Sequence, residues 1–598
     1  MNNEISASKL SGTAWYRRPD FYFWLIAAAG LLFRMEYLRE FSAFDHFDCA
    51  VGPDVQDYHE RTIGILAGEL LPDTPHIHAP LYSFFLALLY KLTGNSIPWV
   101  RFIQLVLNWG AWVGLARLLK RRHAPEKVVL SFLALAMFVP ALIFHQGELI
   151  SESLLAVIIC PTFYLLYKGE EENASLHCFT GAGFLSGLAV LTHGFLWAFA
   201  GAETLYFLWR RQWKRAALFF CGVLCAVIPV VLAKSMYYER FTPIQNNTMF
   251  NVWLGHCENA DGGCWMGSGR VWQDEHRNTA IEAESRGVPV SRIYVERIVG
   301  FYSENPGAVI KLAAKKLWKL VLPIEFISGA DSPAMIGKSA IQRYFRIFAV
   351  AAGLLAVSGV MLLLLKKVPE YSRYIHFYLL AAALAGAQIL TVTSGRYRMG
   401  MMPGVILLAA TAAAELKARQ AMVAICAVIA MTFMLPPLPV SDPVEQSIMG
   451  EVYYRKGKYT EAENALATAS LTIDDPGRFC NLRGIIAEKQ GDFKKAELFY
   501  LEAIAQRNAD AHFNHGFMLS KNFPDRLYDA NLSLFGGLQL SPKRPDVLNQ
   551  IGVNMVHLNS LQEAKICFAA ALELAPDHAG YRGNLEFVNA KLSQELRK

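Results

Sequence analysis

The sequence predicts an all-α protein made of a polytopic transmembrane core followed by an α-solenoid. Of its 598 residues, 54% are hydrophobic and only 18% are charged, whereas soluble domains carry about 25% charged residues. The long apolar stretches all lie within residues 20–437. Beyond residue 443 the composition becomes that of a soluble domain, and small residues recur at a spacing near 34. Each part is justified below in chain order.

The membrane part, residues 20–437, contains about eleven segments long enough to cross a bilayer, because a transmembrane helix needs about 20 mainly apolar residues. We predict spans at residues 20–38, 98–117, 128–146, 149–167, 177–192, 195–209, 215–236, 344–365, 374–392, 400–416 and 420–437. The apolar run 81–93 is too short to cross and fits a helix lying in the membrane interface.

Basic residues indicate which way these spans point. Loops 117–122 and 210–215 are rich in Lys and Arg and fall on the same side as residues 1–19. The positive-inside rule makes that side cytoplasmic. The parts that then face outward are loop 39–97, loop 238–343 and everything after residue 437. Because the net charge of +6 collects in short loops between spans, we expect no nucleic-acid partner.

Residues 443–598 are predicted to form tetratricopeptide repeats. The alanines at 462, 496, 530 and 564 are each 34 residues apart, as are Gly450 and Gly484, while Gly516 and Gly552 continue the series less regularly. Small residues at this period let paired helices approach closely, and such pairs stack into a solenoid. We predict four units and a capping helix within 585–598. Docking of a protein or peptide is the leading interpretation, with a structural lid or self-association as alternatives.

The outer loop 39–97 holds the first candidate site. Asp54, Asp57, Tyr58 and Arg61 are spaced to share one face if the segment is helical. Acidic groups are costly beside hydrocarbon, so acids at a membrane surface suggest a functional site. Such a carboxylate can act as a general base, although spacing alone favours a solvated loop acid.

Further candidates lie at the outer ends of other spans. Glu148 and Glu152 are one helical turn apart between the third and fourth spans. Arg396 and Arg398 lie between the ninth and tenth spans, where an Arg can bind a phosphate bidentately or simply anchor the helix at the interface. In loop 238–343, the segment around Asn251 offers amides and aromatics for a sugar, or the turns of a structured loop.

The sequence has one closely spaced pair of cysteines in a predicted outer loop, and it has no motif typical of a metal site. Cys257 and Cys264 lie close together in loop 238–343, and a disulfide and two free thiols both stay open. No compact His, Asp or Cys motif suggests a metal. We therefore expect no essential cofactor, and a divalent metal has no support.

In their order along residues 20–440, these segments resemble the polytopic glycosyltransferases of the GT-C class. The closest resemblance is to family 39, which includes protein O-mannosyltransferases and the aminoarabinose transferase of lipid A. The matching segments are Arg34, Asp54 to Tyr58, Ala79-Pro80-Leu81-Tyr82, Glu148 to Leu154, Gly187 to Thr192, Asn251 to Gly255, Asp261-Gly262, Asn305-Pro306-Gly307 and Arg396-Tyr397-Arg398. An outward tetratricopeptide module is also similar to fusions in this family.

The resemblance implies an inverting transfer of a sugar from a polyprenyl-phosphate donor to a hydroxyl acceptor at the outer face of a bacterial inner membrane. The acceptor is a protein or peptide, or a glycolipid. By position Asp54 is the base, and Asp57 is the fallback. The implied donor-phosphate ligands are Arg396, Arg398 and Arg34. The implied substrate-binding residues are Tyr58, His59, Tyr82, Glu148, Glu152, Asn251 and Glu325.

Two positions depart from the family pattern. His193 stands where relatives often have Arg, and Val55 follows Asp54 where an Asp-Glu pair is frequent.

The sequence also allows two alternatives to the leading function: the same chemistry on a lipid or polysaccharide acceptor, and a non-enzymatic membrane scaffold or transporter. A transporter would more often carry charges at mid-span or broken helices in paired halves, whereas here the charges concentrate at the outer mouths.

Overall fold

The computed structural model describes most of the chain. The described residues are 19–44, 47–50, 52–72, 76–263, 270–321, 345–366, 373–417, 443–470, 476–542 and 544–595. The chain divides into two compact units, a membrane unit and a repeat unit, with the division after Val440. In the described residues both units are helical, and the only β-pairing there is an isolated bridge between Gly263 and Thr393. The predicted all-α fold is confirmed.

The membrane unit begins with a series of helices that we number α1 to α10. They are α1 (Pro19–Phe41), α2 (Pro53–Leu66), α3 (Leu81–Thr93), α4 (Ile97–Arg121), α5 (Glu126–Phe138), α6 (Pro140–Gly147), α7 (Glu152–Gly169), α8 (His177–Thr192), α9 (Leu196–Trp209) and α10 (Trp213–Tyr237).

The large loop after α10 is itself helical, and further apolar helices follow it. The loop contains α11 (Thr248–Leu254), α12 (Arg270–Ser285), α13 (Val290–Glu304) and α14 (Ala308–Val321). The later helices are α15 (Phe345–Lys366), α16 (Ile375–Leu390), a 3-10 helix (Arg396–Met401) and α17 (Met402–Glu415).

Some of the predicted spans correspond to long apolar helices and others to shorter ones. Five described helices are long and apolar enough to cross a membrane: Asp20–Phe41, Ile97–Arg121, Glu152–Gly169, Trp213–Tyr237 and Arg396–Glu415. The shorter apolar helices are Leu81–Thr93, His177–Thr192, Ala351–Leu362 and Ile375–Leu390. The count of about eleven is therefore not confirmed, and the predicted span 420–437 lies outside the described residues.

The predicted third span, 128–146, is broken into α5 and α6 at Pro140. Proline has no N–H, so it leaves the carbonyl four residues earlier, here that of Ala136, without its helical hydrogen bond. The buried Arg34 of α1 donates to the carbonyl oxygens of Ala136 (3.1 Å) and Met137 (3.0 Å). Arg34 thus satisfies the carbonyls that the break leaves without helical partners.

Helices α8 and α10 pack with their backbones in close contact. A Cβ built on Gly183 would lie 1.9 Å from the carbonyl oxygen of Phe219, and one on Gly222 would lie 2.2 Å from that of Thr180. Small residues at helix contacts are the usual basis of tight packing in membranes. This contact holds the first half of α8, the helix that His193 follows, against α10.

The repeat unit is a series of antiparallel helix pairs with a final helix. The helices are α18 (Pro443–Arg455), α19 (Tyr459–Ser470), α20 (Pro476–Lys489), α21 (Phe493–Ala505), α22 (Ala509–Asn522), α23 (Leu527–Leu540), α24 (Pro545–His557), α25 (Leu561–Leu574) and α26 (Ala579–Glu595). They form the four predicted units, α18–α19 to α24–α25, and α26 follows the last pair in the capping position.

The periodic small residues lie where the two helices of a pair meet. The alanines 462, 496, 530 and 564 are fully buried, and a Cβ on Gly516 would lie 2.5 Å from the side chain of Leu534. The irregular spacing at Gly516 has a local cause. Gly516 and Ala530 are 14 residues apart, against 12 for the matching pairs of the other units, and the link between the two helices has four residues instead of three, with a 3-10 turn at Pro524–Arg526.

We predict that Gly516→Ala destabilises the third repeat, because the added methyl would meet both Leu534 and, at 2.9 Å, the carbonyl oxygen of Ala530. Overpacking of this kind costs about 1–3 kcal/mol. The matched control is Gly583→Ala in α26, where a Cβ meets nothing within 4 Å and helix propensity improves by up to about 1 kcal/mol. Hydrogen exchange of the α22 and α23 amides in the full-length protein measures the difference. Equal protection in the two variants would contradict this packing.

Candidate functional site

The ends of several helices of the membrane unit surround a cleft. Its empty volume is about 350 Å³, part of it open to solvent. The lining residues include Tyr58, His78, Ser151, His193, Asn251 and Arg396. They come from α2, from the segments before α3 and α7, from the segment after α8, from α11 and from the 3-10 helix. The cleft is thus lined by side chains that are far apart in the sequence.

Asp54 lies in the first turn of α2, and the local sequence explains why this helix starts there. Gly52 has φ 93° and ψ 148°, a backbone conformation that is nearly exclusive to glycine. Pro53 then takes the first helical position, where its missing N–H is not needed. The helix begins at a sharp bend, and a carboxylate in its first turn is favoured by the helix dipole.

Arg396 pairs with Asp54 across the cleft. Its Nη1 donates to Asp54 Oδ2, although the two residues are 342 positions apart in sequence. Its Nε also lies 3.4 Å from Oε1 of Glu152. The side chains of Arg396 and Asp54 are 12% and 25% exposed, whereas that of Glu152 is 2% exposed. One guanidinium thus lies between two carboxylates, of which Asp54 is the more exposed.

The segment that leads into Arg396 is held by the large loop after α10. Lys316 Nζ is buried and donates to the carbonyl oxygens of Ile389 (2.9 Å) and Thr391 (2.5 Å) at the end of α16. The Thr393 hydroxyl donates to the carbonyl oxygen of Gly262. These bonds cap the last carbonyls of α16 and fix the backbone two residues before the 3-10 helix of Arg396.

Two histidines before α3 connect the acids of α2. His78 Nε2 lies 3.4 Å from Asp54 Oδ1 and 3.3 Å from Asp57 Oδ2, and its ring stacks on Tyr58. His76 Nε2 lies 2.9 Å from the same Asp57 oxygen. Helix α2 therefore presents Asp54, Asp57 and Tyr58 on one face, as their spacing predicts, and the histidine segment covers that face.

The charges around Asp54 set its protonation. Burial raises the pKa of the Asp54 carboxyl, but the Arg396 charge and the His78 hydrogen bond outweigh this and hold the pKa below its ordinary value. Burial lowers the pKa of His78, yet its hydrogen bond to Asp54 and the charges of Asp54 and Asp57 raise it overall. At neutral pH Asp54 is therefore an ionised carboxylate between two positively charged or protonatable groups.

Glu152 forms the closed side of the cleft at the start of α7. Oε2 accepts a hydrogen bond from the hydroxyl of Ser151 (3.1 Å), and Oε1 lies 3.7 Å from Nε2 of His193. The His193 ring packs against Phe195 and Tyr397. His193, the position that departs from the family pattern, therefore lines the cleft beside Glu152 and Arg396.

Glu148 and Tyr82 lie beneath the cleft rather than on it. Glu148 is 3% exposed and pairs with Arg101, which is 1% exposed, at 3.0 Å. The Tyr82 hydroxyl donates to Gln104 (3.0 Å), whose amide donates to the Glu148 carbonyl oxygen (2.9 Å). Tyr82 also contacts the ring of Tyr58. Both residues therefore lie behind the residues that line the cleft. Their contact with substrate stays a prediction.

The remaining predicted residues are not brought together at the cleft. Arg34 is used at the α5–α6 break, as described above. His59 Nδ1 bonds to the Tyr90 hydroxyl at 2.7 Å, and the half-buried Arg398 does not line the cleft. Asn251 does line it. Glu325 and Cys264 lie outside the described residues, so the choice between a Cys257–Cys264 disulfide and two free thiols stays open.

Sequence reasoning missed several polar groups of the cleft. His76 and His78 stand directly before Ala79-Pro80-Leu81-Tyr82, and this pair of histidines in an outer loop was the available signal. Gln245 and Asn247 also line the cleft, and a buried oxygen of Asn247 has no hydrogen-bond partner.

Among the described residues, no group of three or more His, Cys, Asp or Glu side chains is arranged to hold a metal ion. Metal independence remains a prediction.

Residues 77–234 match the family model of dolichyl-phosphate-mannose-protein mannosyltransferases. The match covers about a quarter of the chain and includes His78, Tyr82, Glu148, Glu152 and His193. No curated protein sequence matches the chain.

Three solved structures show some likeness to this chain. MamA AMB-1 is 19% identical and aligns over 26% of this chain and 85% of its own, with a TM-score of 0.23. MamA MSR-1 is 20% identical over 25% and 87%, with a TM-score of 0.22. The APC/C hetero-tetramer Cut9–Hcn1 is 12% identical over 88% and 98%, with a TM-score of 0.23. Because these TM-scores are low, the assignment of the repeats depends on the spacing and contacts of the protein's own helices.

The family match covers part of the cleft: His78, Ser151 and His193 lie within the matched segment, whereas Asp54 and Arg396 lie outside it. Five apolar helices make the protein an integral membrane protein, and residues matched by the family model line or support the cleft. The membrane unit thus contains a segment that matches a mannosyltransferase family model, which supports a membrane glycosyltransferase, and in this chain it is joined to tetratricopeptide-like repeats.

Proposed function

We propose that this protein transfers a sugar from a polyprenyl-phosphate donor to an acceptor hydroxyl, with inversion and with Asp54 as general base. The observation that carries the proposal is the pairing of Asp54 with Arg396 at an open cleft. The two groups have the complementary roles that this reaction needs, and the cleft is built partly from the segment that matches the mannosyltransferase family.

The chemistry needs one base and one cation. The acceptor oxygen attacks the anomeric carbon, its proton passes to a carboxylate, and the bond from carbon to phosphate oxygen breaks on the opposite face. Inversion requires only that base on the acceptor side. The phosphate leaves with the electron pair and is already ionised, so a cation, rather than an acid, stabilises it. Asp54 fits the first role and Arg396 the second.

The rest of the cleft supports recognition of a sugar. Asn251, Asn247 and Gln245 offer amide groups that can both donate and accept hydrogen bonds. Phe195 and Tyr397 add aromatic surface on the same side. A lipid carrier would lie among the apolar helices, which places the reaction at a membrane surface. From the distribution of basic loops we propose the outer face of a bacterial inner membrane, with residues 1–19 cytoplasmic and the repeats extracytoplasmic.

We assign the repeat unit to docking of a protein or peptide acceptor, or of a partner that presents it. Stacked helix pairs form continuous surfaces for such partners. A lipid or polysaccharide acceptor uses the same chemistry in the membrane unit, and the experiment below distinguishes it.

The test is transfer by the purified full-length protein in lipid nanodiscs, with radiolabelled polyprenyl-phosphate mannose and an envelope extract separated into proteins and lipids. We expect label in the protein fraction. Removal of residues 441–598 should lower transfer to protein about tenfold or more, while slow hydrolysis of the donor by water continues. Label confined to lipids would support the alternative acceptor, and no transfer from any polyprenyl-phosphate sugar would overturn the proposal.

A further inference from the structure

Helix α14 carries an apolar face that the described part of the membrane unit does not cover. On one side the helix packs through Leu312 and Lys316, which are buried. On the other side Ile310, Leu317 and Trp318 are 78%, 54% and 63% exposed. Ile310 and Leu317 are two helical turns apart and share a side of the helix, and Trp318 stands beside them. Large apolar side chains that are exposed together mark an interaction surface.

The charged residues of α14 all have the same sign. Its 14 residues include four lysines and no acidic residue. Lys316 is buried, and Lys319 pairs with Asp261 of the preceding segment at 2.6 Å. Lys311 and Lys315 are exposed and one helical turn apart, at the edge of the apolar face. The surface of α14 therefore combines aliphatic and aromatic side chains with positive charge.

A membrane surface with anionic headgroups fits both features. Helix α14 lies between α10, which is apolar and long enough to cross a membrane, and the apolar helix α15. It is itself about 21 Å long, which is shorter than the hydrocarbon core of roughly 30 Å. Helices with lysines on the polar face and Trp and Leu on the other lie in the membrane interface, and anionic headgroups attract the lysines.

The lysines of α14 are compatible with the predicted outward position of loop 238–343. The positive-inside rule counts basic residues in short loops, of up to about 60 residues, and long loops cross the membrane largely regardless of their charge. Loop 238–343 is longer than that limit. Its basic residues are therefore free to serve binding at the surface.

We propose that α14 docks on the membrane surface, in a leaflet that contains anionic lipids. Ile310, Leu317 and Trp318 enter the boundary between headgroups and acyl chains, and Lys311 and Lys315 contact the anionic headgroups. This interaction surface is separate from the cleft, and the proposal does not depend on the reaction proposed above.

The buried side of α14 connects this membrane contact to the cleft. Lys316 Nζ donates to the carbonyl oxygens of Ile389 (2.9 Å) and Thr391 (2.5 Å), and the 3-10 helix that begins at Arg396 follows a few residues later. A helix docked on the headgroups therefore holds the end of α16 near the membrane surface. This is the depth at which the phosphate of a lipid-linked substrate lies.

The test is photo-cross-linking in the full-length protein, with benzoylphenylalanine in place of Ile310. The protein is placed in nanodiscs of phosphatidylcholine and phosphatidylglycerol, and cross-linked lipids are identified by mass spectrometry. We expect lipid adducts in which phosphatidylglycerol exceeds its share of the lipids about threefold. The matched control replaces Ile281 of α12, which is 59% exposed in the same loop but adjoins Glu282 and is followed by Glu284. There we expect no lipid adduct.

Two double variants, each made in the protein labelled at position 310, test the charges. Lys311→Gln with Lys315→Gln should abolish the excess of phosphatidylglycerol and leave the total lipid adduct within about twofold. Lys489→Gln with Lys494→Gln removes the same charge from exposed positions of the repeat unit and should leave the excess unchanged. All four side chains are exposed, and thermal unfolding checks that each variant is folded.

The result that would overturn docking is a lipid adduct at position 310 no more abundant than at position 281. Adducts without an excess of phosphatidylglycerol, or an excess lost equally in both double variants, would remove the two lysines from the contact and with them the preference for anionic lipids. Sugar transfer is not measured, so failure of the proposed reaction leaves these outcomes unchanged.

Discussion

Asp54→Asn is expected to reduce sugar transfer about a thousandfold while the protein stays folded and inserted in the membrane. A positioned general base contributes about 10²- to 10⁴-fold, and an amide of the same shape cannot accept the proton. The variant retains a hydrogen-bond acceptor towards Arg396 and His78, so the surrounding cleft should persist. The measurement is kcat with saturating donor and acceptor, together with the thermal unfolding temperature of the purified protein.

Asp57→Asn is the matched control for that loss. Asp57 lies on the same face of α2 and contacts His76 and His78, but in the structure it has no bond to Arg396. We expect a decrease of no more than about fivefold from the altered histidine contacts. Should the large loss occur in Asp57→Asn and not in Asp54→Asn, the base would be the fallback residue Asp57.

The pH dependence of transfer should reflect the charges around Asp54. In the free protein Arg396 and His78 hold the pKa of Asp54 below the ordinary value, so the acidic limb of kcat/KM for the donor, which reports the free enzyme, should lie below that expected for a free aspartate. The expected retention of activity on mild acidification follows from the ion pair and does not require any change in fold.

The repeats could be predicted from sequence because their contacts are local. Gly450 and Ala462 are 12 residues apart within one helix pair, and the same close approach recurs in every unit. The period of 34 therefore encodes the packing directly. The one irregularity, at Gly516, required the structure, which shows a longer link closed by the 3-10 turn at Pro524–Arg526.

The cleft could be predicted only in part, because its contacts join distant residues. The spacing of Asp54, Asp57 and Tyr58 predicts their shared face, but no spacing rule pairs Asp54 with Arg396 across 342 positions. For Arg34 the structure shows a contact that its position in the sequence does not predict. In sequence it resembles a phosphate ligand at a span end, yet in three dimensions it satisfies carbonyls left unpaired by Pro140. The role of this buried arginine depends on a break in the backbone of a neighbouring helix, and the sequence alone predicts that helix as continuous.

Arg396→Met should reduce kcat/KM for the donor about 10²- to 10³-fold, the range typical of losing one charged group that stabilises a leaving oxyanion. The acceptor KM should change little, because Arg396 faces the phosphate rather than the acceptor. Arg396→Lys should recover only part of the loss, since a single ammonium cannot bridge Asp54 and Glu152 as the planar guanidinium does.

The nearby Arg398→Met provides the comparison: Arg398 lies in the same 3-10 helix but does not line the cleft, so its effect on the donor should be several times smaller. If Arg398→Met gave the larger loss, the phosphate would bind on the other face of this helix.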